Sequence, residues 1–221
     1  MERVLPSPFL FRWSFPARFV PELPKRLGDM TGWPAECVLP AAGQLDESSP
    51  PFATWSVAWN ENGIAVAVQV RGKRQPLHAD AQTPTRSDGF DVWIDTRGTQ
   101  NVHRATRFCH RFCVLPRGTG RKEAKPVVIP IPFANAKETV SAKTPPECLV
   151  ESDIRDDSYD LAVWIPADAL FGFDPEANPR LGFYLVVRDA ELGEQFLTVG
   201  REFPIEFDPS LWQMLELVKK V

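Results

Sequence analysis

The sequence is poor in the residues from which most active sites are built. Its 221 residues include three histidines and four cysteines. It has no glycine-rich phosphate loop, no nucleophile elbow and no histidine-rich metal motif. Cys109 and Cys113 share one face of a strand, roughly 13 Å apart at ~3.3 Å per residue, which is too far to share a zinc ion. Asp91 and Asp95 have the same spacing, so a joint acid/base role would require unusual side-chain convergence. No calcium-loop spacing links Asp153, Asp156 and Asp157. The expectation is therefore a protein that is not an enzyme and has no resident cofactor.

Positive charge is also in deficit. A net charge of −4 and a pI near 5.5 exclude the dominant positive field that bulk binding to nucleic acid or an anionic membrane needs. No run approaches the ~20 apolar residues of a membrane helix. The opening segment, MERVLPSPFLFRWSFPARFVP, is broken by Pro6, Pro8, Pro16, Arg12 and Arg18, unlike a secretion signal. A cytoplasmic location is expected, where Cys37, Cys109, Cys113 and Cys148 would be thiols.

What is abundant is proline, 22 residues, together with 43% hydrophobic and 11% aromatic residues. This mixture predicts a folded chain of short, interrupted elements. Residues 1–50 read as a proline-rich arm and edge strand. TWSVAWNENGIAVAVQV then gives two alternating runs that meet at Asn62-Gly63, a favoured hairpin turn. With those two residues as the loop, Trp59 pairs with Val66, Val57 with Val68 and Trp55 with Val70. All six then lie on one face, so Trp55 and Trp59 are expected in the core.

Further strands are expected in FDVWID, in RFCHRFCVL from Arg107 to Leu115, in VVIPIP as an edge, in YDLAVWIP and in LGFYLVVRD. Residues 134–157 read as polar connection. DPSLWQMLELVKK admits either a helix capped by Asp208 or a closing strand, and one helical turn followed by a strand is favoured. The expectation is a single domain over 1–221: all-β, an antiparallel β-sandwich of immunoglobulin-like or jelly-roll-like type with short helical turns.

The order of these pieces resembles the family-9 carbohydrate-binding modules and the wider DOMON-like β-sandwiches. The resemblance rests on the hairpin WSVAWNENGIAVAV, the strand DGFDVWID, the segment YDLAVWIP and the segment LGFYLVVRD, and it covers roughly residues 28–219. HRATRFCHRFC is not part of the shared pattern. The resemblance implies a non-catalytic binding module for carbohydrate. As an alternative it implies the haem-binding, electron-transfer role of some DOMON-like domains, with His103 or a methionine (Met1, Met30, Met214) as axial ligand.

In such a sandwich Val92, Ile94, Phe108, Phe112, Leu161, Val163, Phe183 and Leu185 point inward. The reverse faces present Trp93, Trp164 and Tyr184 beside Asp91, Asp95, Arg107, Arg111 and Arg188, a combination suited to stacking a sugar ring and bonding its hydroxyls. The other reading is that the N-terminal arm covers these aromatics. From Arg97 to Lys122 no acidic residue occurs, while His103, Arg104, Arg107, His110 and Arg111 crowd the centre. This strip could take an anionic sugar, another anionic small molecule or an acidic partner. Equally, its arginines could pair internally with Asp88, Asp91 and Asp95. His110, on the apolar side, is expected to be a core histidine.

Overall fold

The structure is a computed structural model and describes residues 11–29, 33–44, 50–134, 136–137 and 147–219. Eleven strands are present among them: β1 (Ser14–Phe19), β2 (Ala53–Asn60), β3 (Gly63–Arg71), β4 (Gly89–Asp95), β5 (Cys109–Thr119), β6 (Lys125–Pro130), β7 (Leu149–Ile154), β8 (Ser158–Pro166), β9 (Arg180–Asp189), β10 (Gly193–Phe196) and β11 (Gln213–Val218). The helical pieces are single 3-10 turns of three residues. The strands hydrogen-bond in the order β6-β5-β4-β9-β11-β1-β2-β3-β8-β7, with β10 beside β9.

This one mixed sheet curls until its halves face each other. Across the seam, Tyr159 on β8 donates its hydroxyl to the Arg188 carbonyl on β9 at 3.4 Å. Ser152 on β7 donates to the Pro116 carbonyl on β5 at 2.9 Å. The inward faces pool into one core that includes Trp55, Val57, Trp59, Val66, Val68, Phe90, Val92, Ile94, Phe112, Leu161, Val163, Phe183 and Leu185. Burying each large apolar side chain contributes about 1.5–3 kcal/mol, and this shared face holds the two halves together.

Alternation located most strands, and the structure corrects several details. The hairpin loop is Glu61-Asn62, so Asn60 pairs with Gly63, Trp59 with Ile64, Val57 with Val66 and Trp55 with Val68. The register is two residues from the expected one, and the same side chains stay on the core face because a two-residue slip preserves parity. Neither loop residue has positive φ. Instead, Asn62 N–H donates to Asn60 Oδ1 at 2.9 Å, and buried Asn60 Nδ2 donates to the Leu23 carbonyl at 2.9 Å. Gly63 serves a different need: a Cβ there would sit 2.4 Å from the Ile165 carbonyl oxygen of β8.

β1 is not an edge strand. It lies between β11 and β2, parallel to both, and joins the halves of the sheet. Pro16 is tolerated there because pairing with β2 is confined to Arg18 and Phe19. β7 occupies a stretch expected to be connection; its alternation is concealed by exposed Leu149 and Ile154. β5 begins at Cys109, so Arg107 and Phe108 precede it in a turn. Proline-bearing β6 is an end strand, as expected. Asp208 accepts from Ser210 N–H to cap a single turn ahead of β11, so the C-terminal segment is a turn and then a strand.

Candidate ligand-binding site

The outward faces of β4, β5 and β9 carry the candidate groups. In register, Trp93 on β4 sits between Tyr184 on β9 and Arg111 on β5. Asp91 lies one repeat along, beside Cys113 and Val186. The ring of Trp93 meets that of Tyr184 edge-on at 5.9 Å, and the Arg111 guanidinium lies over it at 4.7 Å. Asp91 accepts from Arg111 at 2.6 Å and is paired with Arg188 at 3.0 Å.

This face is not open. Residues 197–207 run across it as a strap: the Tyr184 hydroxyl donates to the Val199 carbonyl, and Trp212 Nε1 donates to the Ile205 carbonyl at 2.9 Å. Trp93 is 1% exposed and Tyr184 0%. Trp164, 4% exposed, belongs to a separate cluster with Ala58, Ala65, Ala67 and Ala162, covered by Val20, Leu23, Leu27, Trp33 and Cys37. The expectation of three rings forming one open stacking platform is therefore overturned. Two rings lie under the strap, and the third is covered by the N-terminal arm several strands away.

Of the charged residues, Asp91, Arg111 and Arg188 come together. Arg107 does not join them; it lies over the rings of Phe108 and Phe171, each at 5.1 Å. Arg104 and His103 are exposed on the preceding loop. Asp95 ends β4, and its carboxylate accepts from the N–H groups of Arg97 at 3.0 Å and Thr99 at 2.8 Å in the turn that follows. Asp88 pairs with buried Lys73 at 3.2 Å, and Asp189 binds the same ammonium at 2.6 Å. Burial pulls the Lys73 pKa down, but its bonds to these carboxylates leave it above the ordinary lysine value. His110 is inward, as expected, and burial lowers its pKa to about 4.

Two clefts flank the strap. The first, about 260 Å³, is lined by Asp91, Trp93, Arg111, Val186 and Arg188 from the strands and by Arg201, Phe203, Pro204, Ile205, Glu206 and Phe207 from the strap. At its floor, Asp91 Oδ1, Trp93 Nε1, Arg111 Nε and Arg188 Nε are buried and have no protein partner. Unsatisfied buried polar atoms cost about 1–3 kcal/mol each, and these four are closed to solvent beneath the cleft. Phe207, 44% exposed, supplies an accessible ring.

The second cleft, about 380 Å³, shares the Phe203–Pro204 wall and is lined by Phe11, Arg12, Gln100, His103, Asp208, Ser210, Trp212 and Gln213. There Asp208 Oδ2 and Ser210 Oγ both approach His103 Nδ1, at 3.0 and 3.2 Å. A nucleophilic relay needs the imidazole to bridge serine and aspartate through its two different nitrogens, so these three residues do not form one. Among the described residues no group of three or more His, Cys, Asp or Glu side chains is placed to hold a metal ion. Met214 lies in β11; Met1 and Met30 fall outside the described residues.

The strap was missed in the sequence. Over residues 200–207, GREFPIEF, only Phe203, Ile205 and Phe207 alternate, and Pro204 interrupts the run, so it does not read as a strand.

No family profile and no curated protein matches the chain. Solved structures share its fold. A family-9 carbohydrate-binding module from Caldicellulosiruptor kristjanssonii in complex with cellotriose superposes over 95% of both chains, with a TM-score of 0.53 and 14% identity. A family-9 module from the same organism in complex with glucose covers 79% of this chain and 81% of its own, with a TM-score of 0.50 and 15% identity. A candidate carbohydrate-binding protein from Bacteroides uniformis covers 94% of this chain and 100% of its own, at 0.60 and 14%. The all-β fold is thus that of the family-9 carbohydrate-binding modules.

Proposed function

We propose that this chain is a non-catalytic carbohydrate-binding β-sandwich whose sugar site is the cleft between the β4-β5-β9 face and the strap. The observation that carries the reading is a cleft lined on one side by the charged side chains of Asp91, Arg111 and Arg188 and on the other by the exposed ring of Phe207. Sugar recognition combines those two features: hydroxyls take fixed donors and acceptors, while the C–H face lies on a ring. Asp91, Arg111 and Arg188 are the polar contacts, and Phe207 takes the stacking role first expected of Trp93, Trp164 and Tyr184. Trp93 and Tyr184 act from below by holding Arg111 in place. The shared fold supports the assignment, since two of the similar structures hold cellotriose and glucose.

Asp91 is paired with two guanidiniums and Asp95 accepts from the backbone N–H groups of Arg97 and Thr99, so each of these two carboxylates is engaged apart from the other. Calorimetric titration with glucose, cellotriose and other gluco-oligosaccharides tests the reading. Binding of at least one, weakened about tenfold by Phe207→Ala, is expected; no heat with any sugar would end it.

A further inference from the structure

On its strand side the first cleft is lined by two guanidiniums, Arg111 and Arg188, and one carboxylate, Asp91. We infer that it selects a sugar bearing a carboxylate, a uronate; this rests on the carbohydrate reading above. Asp91, 1% exposed, is set between Arg111 and Arg188, at 8% and 7%. Two buried guanidiniums thus share one buried carboxylate, and one positive charge is left over inside.

Sugar hydroxyls both donate and accept, so they gain little from such an excess. A carboxylate only accepts, and it suits guanidiniums in bidentate geometry. The chain already holds a carboxylate near this spot. Glu206 Oε2 reaches Arg111 Nη1 at 3.4 Å from a side chain 41% exposed on the strap. That separation exceeds the ~2.7–2.9 Å of a well-formed charge-assisted bond, which makes Glu206 a loosely held occupant that an incoming carboxylate displaces. Arg201 and Glu194, at the rim, neutralise each other.

The test is calorimetric titration of the full chain with a glucuronate-containing disaccharide, its methyl ester, cellobiose and lactate. The acid is expected to bind at least tenfold tighter than its ester and than cellobiose. That ratio should rise at least threefold in Glu206→Gln, which removes the competing charge, and fall as salt is added. Equal binding of acid and ester, or a ratio unmoved by Glu206→Gln, would overturn the charge argument and leave carbohydrate binding standing. Lactate binding as tightly as the acidic disaccharide would remove the sugar from the proposal. No binding by any of the sugars would overturn both readings together.

Discussion

Asp91 shows how much can depend on one side chain. It is the sole buried carboxylate among the residues lining the cleft that carry Arg111 and Arg188. Replacing it with alanine leaves two guanidiniums in low dielectric without their counter-charge. Breaking a buried pair in this way costs about 3–5 kcal/mol, so Asp91→Ala should lower the urea midpoint sharply as well as abolish sugar binding. His110 gives a second residue-level expectation. Burial holds its folded pKa at about 4, below its ordinary 6.5. Between those values the unfolded chain binds more protons than the folded one, so stability is lost as pH falls through this window. At roughly 1.4 kcal/mol per unit, the loss reaches about 3 kcal/mol near pH 4. In His110→Phe, the decline in melting temperature between pH 7 and pH 5 should be visibly smaller.

Among the elements, period-2 alternation made β2, β3, β4, β8 and β9 legible, because each buries one face against the common core. It could not reveal what lies over the other face. Trp93, Trp164 and Tyr184 alternate as surface residues should, yet the arm and the strap, which lie outside their strands, bury them; that burial has no local signature. The same reasoning separates structural aromatics from binding ones. Trp164→Ala should cost about 3–5 kcal/mol in chemical denaturation while leaving sugar affinity unchanged, because its ring packs on alanines of β2, β3 and β8 away from the cleft. Phe207→Ala is expected to do the reverse. At the hairpin, Gly63→Ala should destabilise by more than about 1 kcal/mol, since the added methyl meets the Ile165 carbonyl; thermal unfolding checks it.

For the whole molecule, the sequence indicated the class of fold and grouped Asp91, Arg111 and Arg188, which form the strand half of the proposed site. Phe207 and Glu206, the half of the proposed site contributed by the strap, were hidden because their position depends on how the sheet curls. Arg107, Arg104 and Asp95 were grouped with the others by spacing alone, and the turn before β5 takes Arg107 elsewhere. The closing of the sheet has a further consequence. β1 gains its main partner only from β11, and their register joins Ser14 to Met214, so the two halves cannot be stitched until a chain of some two hundred residues has looped back on itself. Folding speed falls as contacts become more distant in sequence. A ribosome still building this protein therefore holds a seam that cannot yet be sewn, with the core's rim open until β11 emerges.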